Sequence, residues 1–193
     1  MQRLVSDATK KLKGTYDSRV DPYVSRTIGI LNCANLLTSL NVDAVAKAHP
    51  YDQENVVFII GMLNDVNLLT PENRDAIGEA IGEKHHQGLY LILDMMRRCD
   101  LLNQDNFNDA IRCRGLFPLE LKIVPDHLVS QVFLDGVFRD CCEANGDYEA
   151  ARRSVMARIG RLPLPKIGMF SQRNVSELDG YPLTPLQSSL VKN

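Results

Sequence analysis

The sequence has no long apolar run, no block of like charge and no paired-cysteine motif, and each absence removes a class of protein. No stretch approaches the roughly 20 apolar residues needed to cross a bilayer. The first 19 residues also lack the apolar segment of a secretory signal peptide, so any export is expected to use another route. Lys and Arg total 22 against 24 Asp and Glu, a net charge of -2, with both signs scattered. Nucleic acids and anionic membranes call for a clustered basic surface, so neither is expected as a partner. The five cysteines are odd in number and none forms C-x-x-C. Zinc spacing is therefore missing, and reduced thiols in a cytosol-like compartment are the expected state.

What is present is a repeat. Ile30 opens ILNCANLLTSLNVDAV, Met62 opens MLNDVNLLTPENRDAI, and Met95 opens MMRRCDLLNQDNFNDAI. The pairs Leu36-Leu37, Leu68-Leu69 and Leu101-Leu102 recur after 32 and then 33 residues, within the period range of helical-hairpin arrays. An Asn follows each pair (Asn41, Asn73, Asn106), and the third copy carries one extra residue between Asn106 and Ala110. Each copy reads as two helices. Val56, Val57, Ile59, Ile60 and Leu63 lie on one helical face in the second copy, and the Asn67-Leu68-Leu69 segment turns the chain. Thr70 is then expected as an N-cap with Pro71 at the first helical position, where a missing N–H costs nothing; Thr38 and Asn103 hold the same place.

A single hairpin cannot bury both faces, so copies near 23–48, 54–80 and 87–113 are expected to stack on a shared core, with the Leu pairs buried between helices. Pro118 and Pro125 mark a linker. Asp126 is expected to cap a helix carrying Leu128, Val129, Val132, Phe133, Val137 and Phe138, and Asp147 to cap a last one carrying Ala151, Val155 and Ile159. This pair, over 126–160, reads as a degenerate fourth copy closing the stack. From Leu162 the prolines Pro163, Pro165, Pro182 and Pro185 and the loss of apolar period suggest an extended tail. The fold class is thus all-α: a repeat domain over 1–161, as a short solenoid or irregular bundle, followed by a tail over 162–193.

Ala48-His49-Pro50, Leu63, Leu68-Leu69-Thr70, Asn73 and Asp75-Ala76-Ile77, with echoes in the flanking copies, resemble helical repeats of effector proteins that Legionella injects into host cells through its type IV (Dot/Icm) secretion system. The resemblance covers roughly half the chain. It implies delivery to the host cytoplasm by a C-terminal signal and a scaffold that binds a host protein.

No catalytic, cofactor or metal site is assigned from the residues. His127 precedes Cys141-Cys142 on the same expected helix, about 20 Å away at 1.5 Å per residue, so those residues do not form a thiol–base pair. Cys142 with His49, His85 or His86 is the alternative, a thiol-dependent enzyme acting on a host protein. His85 and His86 diverge by about 100° on a helix and do not converge on one metal ion. Cys33, Cys99 and Cys113 read as small core residues, and the Asn series as side chains satisfying local backbone groups. The basic clusters Arg97-Arg98, Arg112 with Arg114, and Arg152-Arg153 are the candidate partner-binding surface, because Arg is favoured at interfaces.

Overall fold

A computed structural model describes residues 2–81, 86–113 and 115–163. The chain divides after Leu162. The tail and its export signal, expected over 162–193, lie outside the described residues beyond Pro163. The described residues are helical and contain no strand. Their α-helices are α1 (Gln2–Lys13), α2 (Asp21–Cys33), α3 (Ser39–Val45), α4 (Gln53–Asp65), α5 (Pro71–Ile81), α6 (His86–Arg98), α7 (Gln104–Arg112), α8 (Gln131–Glu143) and α9 (Tyr148–Ile159). Short 3-10 segments cover Ser18–Val20, Leu119–Ile123 and Asp126–Leu128.

The three copies are α2/α3, α4/α5 and α6/α7, and one turn design joins the helices of each. The first helix ends on a residue in the left-handed region, Asn35 (φ 55), Asn67 (φ 57) or Asp100 (φ 57). Asn and Asp tolerate that conformation better than other side chains. The next amide reaches back over the helix end, from Leu36 to the Leu31 carbonyl (2.8 Å), Leu68 to Leu63 (2.7 Å) and Leu101 to Met96 (2.8 Å). This is the Schellman closure, which satisfies carbonyls that the helix itself cannot. The Thr38, Thr70 and Asn103 side chains then accept from the amides of Asn41, Asn73 and Asn106 at 3.2, 3.2 and 3.0 Å, as their N-cap positions require. A cap of this kind contributes about 1 kcal/mol.

First helices lie beside one another (α2, α4, α6), and second helices do the same (α3, α5, α7). Because α4 is flanked by α2 and α6 and covered by α3 and α5, it is apolar around most of its girth: Val56, Val57, Ile59, Ile60, Met62 and Leu63 are all buried. The core continues through Leu31, Ile77, Leu89, Ile92, Leu93, Met95, Met96 and Phe107. Burying each such aliphatic or aromatic side chain contributes about 1.5–3 kcal/mol.

Several sequence expectations change. Of the Leu pairs only Leu36 is buried; Leu37, Leu68, Leu69, Leu101 and Leu102 are half-buried, lying in the turns between helices. The extra residue in the third copy is no insertion. Helix α7 is continuous, and Ala110, four residues after Asn106, takes the buried place that Val45 and Ile77 take after Asn41 and Asn73.

The fourth copy begins differently as well. Asp126 opens only a 3-10 turn, and Val129 is extended (φ -81, ψ 115). The helix starts at Gln131, where the Ser130 hydroxyl accepts from the Phe133 amide at 3.2 Å. Leu128-Val129-Ser130 therefore stands where Leu-Leu-Thr stands earlier, and α8 continues the row of second helices against α7. Val132 is left 81 % exposed, because the true helix start puts it on the outer face. The expected linker fills the slot of the missing first helix. Its 3-10 segment Leu119–Ile123 lies against α6, and Leu116, Phe117, Leu121 and Val124 are buried. At the other end α1, absent from the sequence reading, covers α2 and α3, and the buried Gln53 amide donates to the Leu12 carbonyl at its end (2.8 Å).

Candidate functional site

The arginines proposed as a contact surface are dispersed, and most are engaged within the chain. Arg97 and Arg98 both bind Asp94, at 3.0 and 3.1 Å, and Arg98 also pairs with Asp126. Arg112 pairs with Asp109 at 2.8 Å along its own helix. Arg152 reaches Glu120 at 2.6 Å, and Arg153 is exposed on α9. Arg114 lies outside the described residues. The carboxylates that pair with these side chains are one turn away on the same helix or on a neighbouring element. The guanidinium of Arg158 completes the set. It forks onto Asp140 at 2.8 and 2.9 Å across Gly136, tying α9 to α8.

The Asn series satisfies local backbone and does more. Asn41, Asn73 and Asn106 donate to the carbonyls of Leu36, Leu68 and Leu101 at 2.8, 2.7 and 2.7 Å. Their other amide positions meet Arg74, Gln104 and Gln131 of the following copy. These buried amides are thus filled by the fold and are not available to a ligand.

The cysteines separate by environment. Cys33 is exposed and Cys99 half-buried, contrary to the core reading, because both fall at the ends of first helices where Ala34 and Val66 serve as caps. Burial pushes the Cys99 thiol up from its ordinary value. Cys113 is buried as expected. Cys142 meets Cys113 and the Arg112 guanidinium. His49 is stacked between tyrosines near the start of the chain, so it is not brought to Cys142. His127 sits in the 3-10 turn ahead of α8, and the His85 and His86 side chains lie outside the description. Among the described residues no group of three or more His, Cys, Asp or Glu is placed to hold a metal ion. No described helix is long and apolar enough to cross a membrane.

One surface feature was not read from the sequence. Tyr16 follows α1, Tyr23 lies in the first turn of α2, and His49 and Tyr51 lie in the connector from α3 to α4. Their rings form a row: Tyr16 to His49 at 4.6 Å and 72°, His49 to Tyr51 at 4.9 Å and 38°, and Tyr51 to Tyr23 at 4.6 Å and 81°. Edge-to-face geometry matches ring quadrupoles and holds the row in place. Tyr16, Tyr23 and Tyr51 nevertheless stay 44, 43 and 51 % exposed. Arg19, with a side chain 84 % exposed, stands beside them on Asp17. Single exposed aromatics are ordinary, but a contiguous row is not. Its members come from three chain segments, so no local pattern announces it. Such a surface can hold apolar or planar groups.

No family model matches the chain, and neither a curated protein nor a solved structure does.

Proposed function

We propose that the chain is a helical-repeat binding module whose ligand is another protein. The resemblance to Legionella effector repeats supports a host protein as that ligand, met in the host cytoplasm after type IV secretion. The observation that carries the binding role is the exposed row Tyr16, His49, Tyr51 and Tyr23 with Arg19 beside it. Tyr and Arg dominate the energetics of protein interfaces because they present large, semi-rigid, amphipathic area. The repeat supplies rigidity: each copy is closed by a Schellman turn and an N-cap and linked to the next by a hydrogen bond to its turn Asn, so the row is displayed on a fixed frame. For the thiol-enzyme alternative, the described surroundings of Cys142 offer a second thiol and a guanidinium rather than a histidine or carboxylate base.

The test is capture from host-cell lysate by the full chain, by Tyr23→Ala/Tyr51→Ala, and by Arg152→Ala/Arg153→Ala at the far end, with helical content checked for each. A protein retained by the full chain and the arginine variant but lost by the tyrosine variant is expected. Identical capture by all three would overturn the assignment of the row. Delivery is tested separately with a translocation reporter fused to the chain; a reporter that stays in the bacterium would overturn the host location.

A further inference from the structure

Three cysteines lie where the third copy meets the helix that continues the stack, and two of their thiols meet. Cys113 ends α7, and Cys141 and Cys142 occupy the last turn of α8. The Cys113 and Cys142 sulfurs are 2.6 Å apart. That is closer than unbonded sulfurs normally pack, and about 0.6 Å beyond the length of a disulfide bond. Both residues sit at helix ends, Cys113 as the C-cap of α7 and Cys142 in the last turn of α8. Cys141 faces elsewhere: it is buried, its thiol donates to the Leu116 carbonyl at 3.4 Å, and burial pushes it up to about 12. As helix neighbours, Cys141 and Cys142 diverge by about 100° and do not pair with each other.

We infer that Cys113 and Cys142 are an oxidative modification site, a dithiol that hydrogen peroxide converts to an intramolecular disulfide. The two sulfurs differ in access. Cys142 is half-buried with the Arg112 guanidinium against it, whereas Cys113 is 2 % exposed, and burial together with its bond to Cys142 holds its thiol well above the ordinary value. The order of steps follows. The Cys142 thiolate attacks one peroxide oxygen, the O–O bond breaks, and the departing hydroxide takes up a proton, leaving Cys142 as a sulfenic acid. The Cys113 thiol then attacks that sulfur, the S–S bond forms, and the sulfenic oxygen leaves as water with the Cys113 proton. Two thiols lose two electrons and one peroxide becomes two waters. The new bond closes a loop through the 3-10 segment that stands in for a helix, locking α8 onto α7. This inference is independent of the aromatic row and of any partner.

The full chain, reduced and freed of reductant, is treated with stoichiometric hydrogen peroxide at neutral pH and analysed by intact mass and peptide mapping. Loss of two hydrogens is expected, with a linked peptide joining Cys113 to Cys142. A rise of several degrees in the melting midpoint should accompany it and be reversed by dithiothreitol. The Cys33→Ser/Cys99→Ser/Cys141→Ser variant should behave like the native chain, and Cys142→Ser should lose the linkage. Oxygen addition to Cys142 without a linkage, bridging through Cys33 between chains, or no reaction would each overturn the inference.

Discussion

Asn73 and Gln104 form a two-way amide pair across the second and third copies, with Asn73 donating to Gln104 at 2.9 Å and Gln104 donating back at 3.0 Å. Asn106 and Gln131 repeat it at 2.9 and 2.8 Å one copy later. The same Asn73 amide also holds the Leu68 carbonyl, so one side chain closes a turn within its copy and fixes the spacing to the next. Asn73→Ala should cost about 1–3 kcal/mol, since it leaves two partly buried groups unsatisfied. Gln104→Ala should cost less. In urea denaturation the double variant should deviate from additivity by about 0.5 kcal/mol or more; additive losses would mean that the pair does not couple the copies.

The half-burial of the turn leucines separates two substitutions that look alike in sequence. Leu63→Ala, at 0 % exposure on α4, should cost about 2–5 kcal/mol. Leu69→Ala, in the turn, should cost roughly half of the 1.5–3 kcal/mol that full burial contributes. Denaturation midpoints at constant slope measure both, and equal losses would put Leu69 in the core.

Two helical glycines should respond with opposite sign. A Cβ on Gly88 would meet the Phe117 carbonyl and, at 2.6 Å, that of Gly115, both backbone atoms of the segment that replaces a helix. Gly88→Ala should therefore destabilise by about 1–3 kcal/mol through overpacking. Nothing lies within 4 Å of the Cβ position on Gly29, so Gly29→Ala should gain about 1 kcal/mol of helix propensity. Calorimetric melts of both variants decide it, and a neutral Gly88→Ala would show that this segment yields easily.

Glu120 provides a pH signature. Burial, the largest single influence, would raise its carboxyl, but the Arg152 hydrogen bond, a backbone hydrogen bond and the charges of Arg152 and Lys122 together outweigh it and leave the carboxyl below the ordinary value. A carboxyl depressed in the folded state stabilises above the unfolded value, about 4.3, and that contribution is lost as pH falls through the folded value. The melting difference between native chain and Glu120→Gln should be widest near neutral pH and close below about pH 4. Added salt should shrink it. A difference independent of pH would place the effect in packing.

The helices of the three copies were legible because each signal acts within a few residues: an Asn or Asp that accepts positive φ, a capping side chain two residues beyond the first Leu, and an Asn that closes the turn. Helix α1 was missed because, with many charges and few apolar residues, it is defined by what it covers, through Leu12 and the Gln53 bond. The segment before α8 was read as a linker because a 3-10 turn has no helical period, although Leu116, Phe117, Leu121 and Val124 are core residues. The ion pairs of Arg97, Arg98, Arg112 and Arg152 were not read from the sequence, because a carboxylate's reach depends on side-chain geometry and, for Asp126 and Glu120, on the packing of separate elements.

The sequence by itself determined the helical class, the repeat spacing and the caps at Thr38, Thr70, Asn103 and Asp147, since a cap depends on residues at most a turn apart. Tertiary structure decided which residues are core, how one copy grips the next, and which side chains share a surface. Tyr16, Tyr23, His49 and Tyr51 become neighbours only when α1, α2 and the connector to α4 are stacked, and Cys113 meets Cys142 only when α8 docks on α7. Both depend on distances across the chain that local conformational preferences do not fix.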